Sequence, residues 1–140
     1  MQFSSRFTIA AHILVCTAMF QETEKVTSAF LAGSIGVNPV IVRNVLGQLS
    51  AAGLVEIRAG VGGAHLARPA EEITLLDLFR AVEKDEALFH FHENPNPLCP
   101  VGRNIHTVMD SRLTDIQSAM ERQMAETTLR QLVDETQEKA

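Results

Sequence analysis

Cysteine is scarce in this 140-residue chain: Cys16 and Cys99 are the only two. They are too few for a disulfide framework or a four-thiolate metal site, and sparse thiols suit a reducing cytoplasm. A long apolar run is also missing. Residues 7–20 (FTIAAHILVCTAMF) resemble the apolar part of a signal peptide, but His12 interrupts them, a single basic residue precedes them and no A-x-A site follows. The stretch is shorter than the roughly 20 residues that cross a bilayer, so it reads as a buried first helix and no membrane partner is expected. Catalytic signatures are missing as well. The chain has no paired acid/base constellation, phosphate loop, G-x-S-x-G or H-E-x-x-H, and its glycine-rich AGVGGA segment is not followed by a helix. No enzyme activity is expected.

The composition, 46% hydrophobic and 21% charged, is that of an ordinary globular domain long enough to fold without metal or disulfide. The net charge of −5 is unevenly spread. Residues 1–70 carry five Lys/Arg against three acids, whereas residues 71–140 carry seven against fourteen. Any polyanion contact therefore belongs to the first half.

Along the chain, Ile9, Ile13, Cys16 and Phe20 share one face of a first helix capped by Ser4 or Ser5. On that face Cys16 reads as a small buried hydrophobe. Thr27 caps a short second helix. Gly36-Val37-Asn38-Pro39 then turns the chain, Asn38 serving as N-cap and Pro39 as the first helical residue. The third helix buries Val42, Val45, Leu46 and Leu49 and presents Val40, Arg43, Asn44, Gly47 and Gln48 on its other side. Two helices joined this way fit a helix-turn-helix. Residues 54–58 and 65–68 alternate as two strands around the glycine-rich loop, with arginine on both arms. That hairpin is a wing. A further helix follows over residues 73–82, with Thr74 as its cap and Leu75, Leu78, Phe79 and Val82 inward.

Three prolines within residues 95–100 forbid regular structure, and a long helix starts near Val101 or Gly102. Its apolar residues Ile105, Met109, Leu113, Ile116, Met120 and Met124 recur every three or four positions. A small head cannot cover a stripe of that length, so a second copy of the chain is the expected partner, with some packing on helix one. Three units are expected: a winged helix-turn-helix DNA-binding domain over 1–82, a sensor-type loop over 83–100, and a dimerisation helix with a C-terminal tail over 101–140. The fold class is mainly α with a small β-wing.

The same residues resemble the Rrf family of winged-helix transcription regulators, the family of IscR, NsrR and CymR. The resemblance is carried by Ser4-Ser5-Arg6, Gly36-Val37-Asn38, Leu49-x-x-x-Gly53-Leu54-Val55, Gly62-Gly63-x-x-Leu66-Ala67-Arg68-Pro69, Glu72–Asp77 and Cys99-Pro100-Val101-Gly102. It spans nearly the whole chain in family order and is nearest to the YwnA-like branch. It implies a cytoplasmic homodimer acting as a repressor at a partly palindromic operator, with two winged helices presented to successive major grooves. Iron–sulfur members use three clustered cysteines in the loop before the long helix, where this chain has only Cys99, so no cofactor is expected.

On this reading Ser4, Ser5, Arg6, Thr27, Ser28, Arg58 and Arg68 are the candidate phosphate contacts. Arg43 and Asn44 are placed for guanine and adenine edges, with Val40 for a thymine methyl and Asn38 beside them at the helix start. Gly62 and Gly63 let the wing tip turn toward a minor groove, and His65 adds charge there. Cys99 is the candidate sensor, since a helix N-terminus favours a thiolate and its oxidation or alkylation. Two alternatives stand beside the regulator: a winged-helix protein-interaction adaptor, and a metal-responsive regulator using His90, His92, Cys99 and His106.

Overall fold

The computed structural model describes residues 5–58, 63–83 and 89–140. Helix α1 (Arg6–Phe20) is followed by α2 (Ser28–Ile35) and α3 (Pro39–Ala51), then by strands β1 (Val55–Arg58) and β2 (Gly63–Leu66). A single 3-10 turn (Ala70–Glu72) leads into α4 (Leu75–Val82), the long α5 (Pro100–Glu126) and α6 (Leu129–Lys139). Among the described residues, six helices and one two-stranded antiparallel sheet make a mainly α protein with a β-wing and a long helix near its C-terminal end.

Local chemistry sets the boundaries. Thr27 accepts the Phe30 backbone N–H at 3.0 Å and starts α2; Asn38 accepts the Val40 N–H at 2.8 Å ahead of Pro39 and starts α3. Between the two helices the chain bends by 112°, within the range of a helix-turn-helix. Thr74 and Asp77 form a reciprocal capping box at α4. Ser5 occupies the N-cap position of α1 without a side-chain bond, and Ser4 lies outside the described residues.

Ile9, Ile13 and Leu14 of α1 are buried with Val42, Val45 and Leu49 of α3, Leu78 and Val82 of α4, and Leu54 and Val55 at the base of the wing. Phe79 is buried as well, edge-on to Phe7 at 6.0 Å. Phe20, at the end of the α1 stripe, is exposed by about a third and meets Phe30 edge-to-face at 5.7 Å. The wing is stitched to the residues before α2, where the Ala64 N–H donates to the Val26 carbonyl at 2.8 Å. At the neighbouring Gly63 (φ 66°) a Cβ would stand 2.8 Å from the Val26 nitrogen, so only glycine lets the strand lie this close.

The segment that reads as a C-terminal tail contains a helix. Thr128 and Gln131 form a second capping box that starts α6, whose Leu129 and Val133 are buried in the same core as α1. The chain returns there through backbone bonds from Leu75 N–H to Thr127 O (3.0 Å) and from Leu129 N–H to Ile73 O (2.7 Å). Helix α5 differs: it spans about 40 Å and has no buried residue. Of its apolar stripe, Ile105, Leu113, Met120 and Met124 are half-buried, while Met109 and Ile116 are exposed.

Candidate nucleic-acid interface

Helix α3 turns its apolar stripe into the core, which leaves Arg43, Asn44, Gly47 and Ser50 facing out. Near its start Val40 and Ile41 are 51% and 42% exposed. Beside this face lies a concavity of about 710 Å³ shared by three segments. Lys25, Thr27 and Ser28 come from the entry to α2, Arg43 from α3, and Arg58 and Gly63 from the two arms of the wing. Among the described residues the lining holds three cations and no carboxylate. Among the described residues Lys25, Arg43 and Arg58 form no ion pair, so their charge faces solvent. The N-terminus of α2 opens into the same space, adding backbone N–H groups and the positive end of a helix dipole. A surface so built attracts phosphate-like anions, to which the Arg43 guanidinium can donate as a bidentate fork.

The structure thus brings Thr27, Ser28, Arg43, Arg58 and Gly63 together. Lys25 belongs with them, although the sequence marks it only as a charge in a polar break. Its proximity arises from the Val26–Ala64 bond, which joins residues far apart in the chain. Gly62 lies outside the described residues. The Asn38 side-chain oxygen is occupied in capping α3. Ser5 and Arg6 are exposed at the start of α1 and do not line the concavity. His65 is half-buried on β2 opposite Glu56, with its Nδ1 enclosed and without a hydrogen-bond partner.

Arg68, the other candidate phosphate contact on the wing, does not line the concavity. Its guanidinium donates to Asp77 Oδ2 at 2.9 Å and to the Glu72 carbonyl at 3.0 Å. The same Asp77 oxygen accepts the Thr74 N–H of the α4 capping box. Arg68 therefore braces the exit of the wing against α4, and it lines a separate recess with Glu71 and Arg130.

Cys99 is half-buried at the N-cap of α5. The backbone N–H groups of Gly102 and Val101 face its sulfur and lower the thiol pKa from its ordinary value, without closing a full capping hydrogen bond. The nearby histidines do not converge on it. The His106 ring stacks on Phe91 at 4.5 Å and meets His92 edge-on at 5.3 Å, and its Nε2 pairs with the His92 carbonyl at 3.0 Å. Among the described residues no three His, Cys, Asp or Glu side chains are placed to share a metal ion. No single described helix is long and apolar enough to cross a membrane.

Comparison with known proteins agrees with this geometry. The family described as Rrf2, iron-dependent transcriptional regulator, matches residues 3–135. A Bacillus subtilis protein named "Putative HTH-type transcriptional regulator YwnA" is 41% identical over 131 residues, covering 94% of this chain and 96% of its own. A solved structure described as "a putative DNA binding protein" superposes with a TM-score of 0.74 at 36% identity, over 91% of this chain and 98% of that one. CymR of B. subtilis, described as its global cysteine regulator, shares the fold with a TM-score of 0.72 at 20% identity, over 96% and 97% of the two chains. The family description names iron, but among the described residues no set of side chains fits an iron centre. Cys16 is buried in α1, Cys99 is the single thiol of its loop, and His106 is engaged with a backbone carbonyl.

Proposed function

Because the chain belongs to the Rrf2 family of transcriptional regulators, which are not enzymes, we propose that it is a sequence-specific DNA-binding repressor acting in the cytoplasm as a homodimer. The observation that carries the reading is the concavity between α3 and the wing, lined by Lys25, Arg43 and Arg58 without an acidic side chain. Lys25 and Arg58 neutralise phosphates and release counterions, which supplies most of the sequence-independent affinity. Arg43 and Asn44, exposed on α3, reach base edges in the major groove, and Val40 meets a thymine methyl. The net charge of −5 does not oppose this, because the acids are concentrated in residues 71–140.

A second copy supplies the other half-site. Met109 and Ile116 stand exposed on α5, and pairing two such stripes removes them from water and sets the spacing of the heads. In this reading residues 1–82 bind DNA, 83–100 form the sensor-type loop and α5 joins the dimer. Cys99 is the switch: its lowered pKa favours thiolate at the very start of the dimer helix, where oxidation or alkylation changes the head-to-head geometry. No iron centre enters the reading.

The test is a gel shift with promoter fragments of the protein's own operon at rising salt, with reduced and oxidised protein. Salt-sensitive, sequence-selective binding that oxidant releases is the expected result. Absence of selective binding in both redox states would favour a protein-interaction adaptor, and release that persists in Cys99→Ser would remove the switch.

A further inference from the structure

Leu129 and Val133 press α6 onto the head, whereas Leu132, Thr136 and Lys139 border a groove of about 560 Å³ between α6 and α1. The facing wall is apolar and includes Val15 and Met19 of α1. The groove opens to solvent, and its volume is that of small-molecule sites. At one end stands a polar chain of three residues. His12 Nε2 lies 2.8 Å from Ser34 Oγ, which lies 3.4 Å from Cys16 Sγ. Ser34 is exposed at the rim of the groove, and with His12 donating from Nε2 its hydroxyl hydrogen is left to water or to the Cys16 sulfur, a weak acceptor. An oxygen acceptor entering the groove takes that hydrogen in its place. The charged residues of the groove beyond His12 are Glu135 and Lys139, whose opposite signs leave no net charge to select an ion.

We propose that the groove between α1 and α6 binds a small, uncharged, largely apolar molecule through one carbonyl oxygen, held by the hydroxyl of Ser34. The groove joins three helices with separate tasks. Helix α6 follows the long α5, α1 carries the core of the head, and Ser34 sits on the first helix of the helix-turn-helix. A bound molecule therefore bridges α6, the helix that follows α5, to the first helix of the DNA-reading unit. That consequence rests on the DNA-binding reading above, but the binding itself does not.

The experiment titrates the full chain, without DNA, with prodan, a neutral naphthyl ketone whose emission shifts to the blue in apolar surroundings. Anilinonaphthalene sulfonate, an anion of similar size without a ketone, is the comparison. Prodan is expected to saturate at one site per chain with blue-shifted emission, and the anion to bind about tenfold more weakly, since a buried unpaired charge is penalised. Thr136→Trp, a change at an exposed position bordering the groove, abolishes prodan binding while circular dichroism stays unchanged. Ser34→Ala, on the exposed side of α2, weakens it about fivefold to tenfold, the loss of one hydrogen bond. Prodan affinity unchanged in either variant, or anion binding as tight as that of prodan, would overturn the proposal. So would prodan binding that falls as protein concentration rises, because a second copy of the chain would then be the occupant. None of these results bears on DNA binding, so the two readings fail separately.

Discussion

The head of the molecule and the long helix α5 handle apolar surface in opposite ways. In the head, α1, α3, α4, α6 and the wing base bury their apolar faces against one another, so that Ile13, Leu49, Leu78 and Leu129 are shielded from water. Helix α5 has an apolar stripe of similar regularity, yet it has no buried residue, and Ile116 is 52% exposed. Side-chain hydrophobicity alone does not separate the two regions; what differs is whether the chain itself supplies a covering surface. A head that completes its own core needs no second surface to cover it, whereas α5 leaves Met109 and Ile116 exposed, the surface on which the proposed second copy packs.

That contrast can be broken from either side. The largest effect is expected in the head, where Leu49→Ala leaves a cavity in a fully buried position and costs about 2–5 kcal/mol of stability in urea unfolding. Ile116→Glu on α5 is expected to weaken self-association about 100-fold or more in sedimentation, roughly 2.7 kcal/mol, while the far-ultraviolet dichroism of the head persists. A dimer of wild-type affinity in that variant would remove α5 as the joining surface. Thr128→Ala removes the cap of α6 and is expected to cost about 1 kcal/mol, a measure of how firmly that helix belongs to the head. Arg68→Ala breaks an exposed ion pair and is expected to cost less than about 1 kcal/mol.

A fifth expectation concerns pH. Because the N–H groups of Gly102 and Val101 lower the Cys99 pKa, its thiolate is populated at lower pH in the folded chain than in the unfolded one. The rate of Cys99 alkylation by iodoacetamide, followed by peptide mapping, is expected to rise with pH through a lower midpoint in the native protein than in urea. Equal midpoints would remove the electrostatic basis of the proposed switch.

Much of the head is legible in the chain because its signals are local. Asn38-Pro39 marks the start of α3 by capping and fixed φ, the α3 stripe follows helical spacing, and Thr74 announces α4. The C-terminal helix was harder to read. Its Thr128-x-x-Gln131 box is a start signal and Leu129, Leu132 and Val133 fall at helical spacing, but three apolar residues at one end of a polar segment make a stripe of a single turn. At the candidate interface, Thr27, Ser28, Arg43 and Arg58 followed from their elements. Lys25 and Arg68 did not, because each is placed by a tertiary partner: Lys25 by the Val26–Ala64 bond beside it, and Arg68 by Asp77 and Glu72. Sequence spacing shows which face a residue occupies but not what crosses over to meet it.

The central claim is that the concavity between α3 and the wing holds nucleic-acid phosphate, and the salt dependence of operator affinity tests it most directly. Fluorescence anisotropy with the protein's own promoter fragment, repeated across salt for Arg58→Ala and Arg68→Ala, compares a cation in the concavity with one tied into the fold. The account predicts that Arg58→Ala lowers the slope of log K against log salt by about 1 and that Arg68→Ala leaves the slope unchanged. An unchanged slope for Arg58→Ala, or an equal loss for Arg68→Ala, would contradict it.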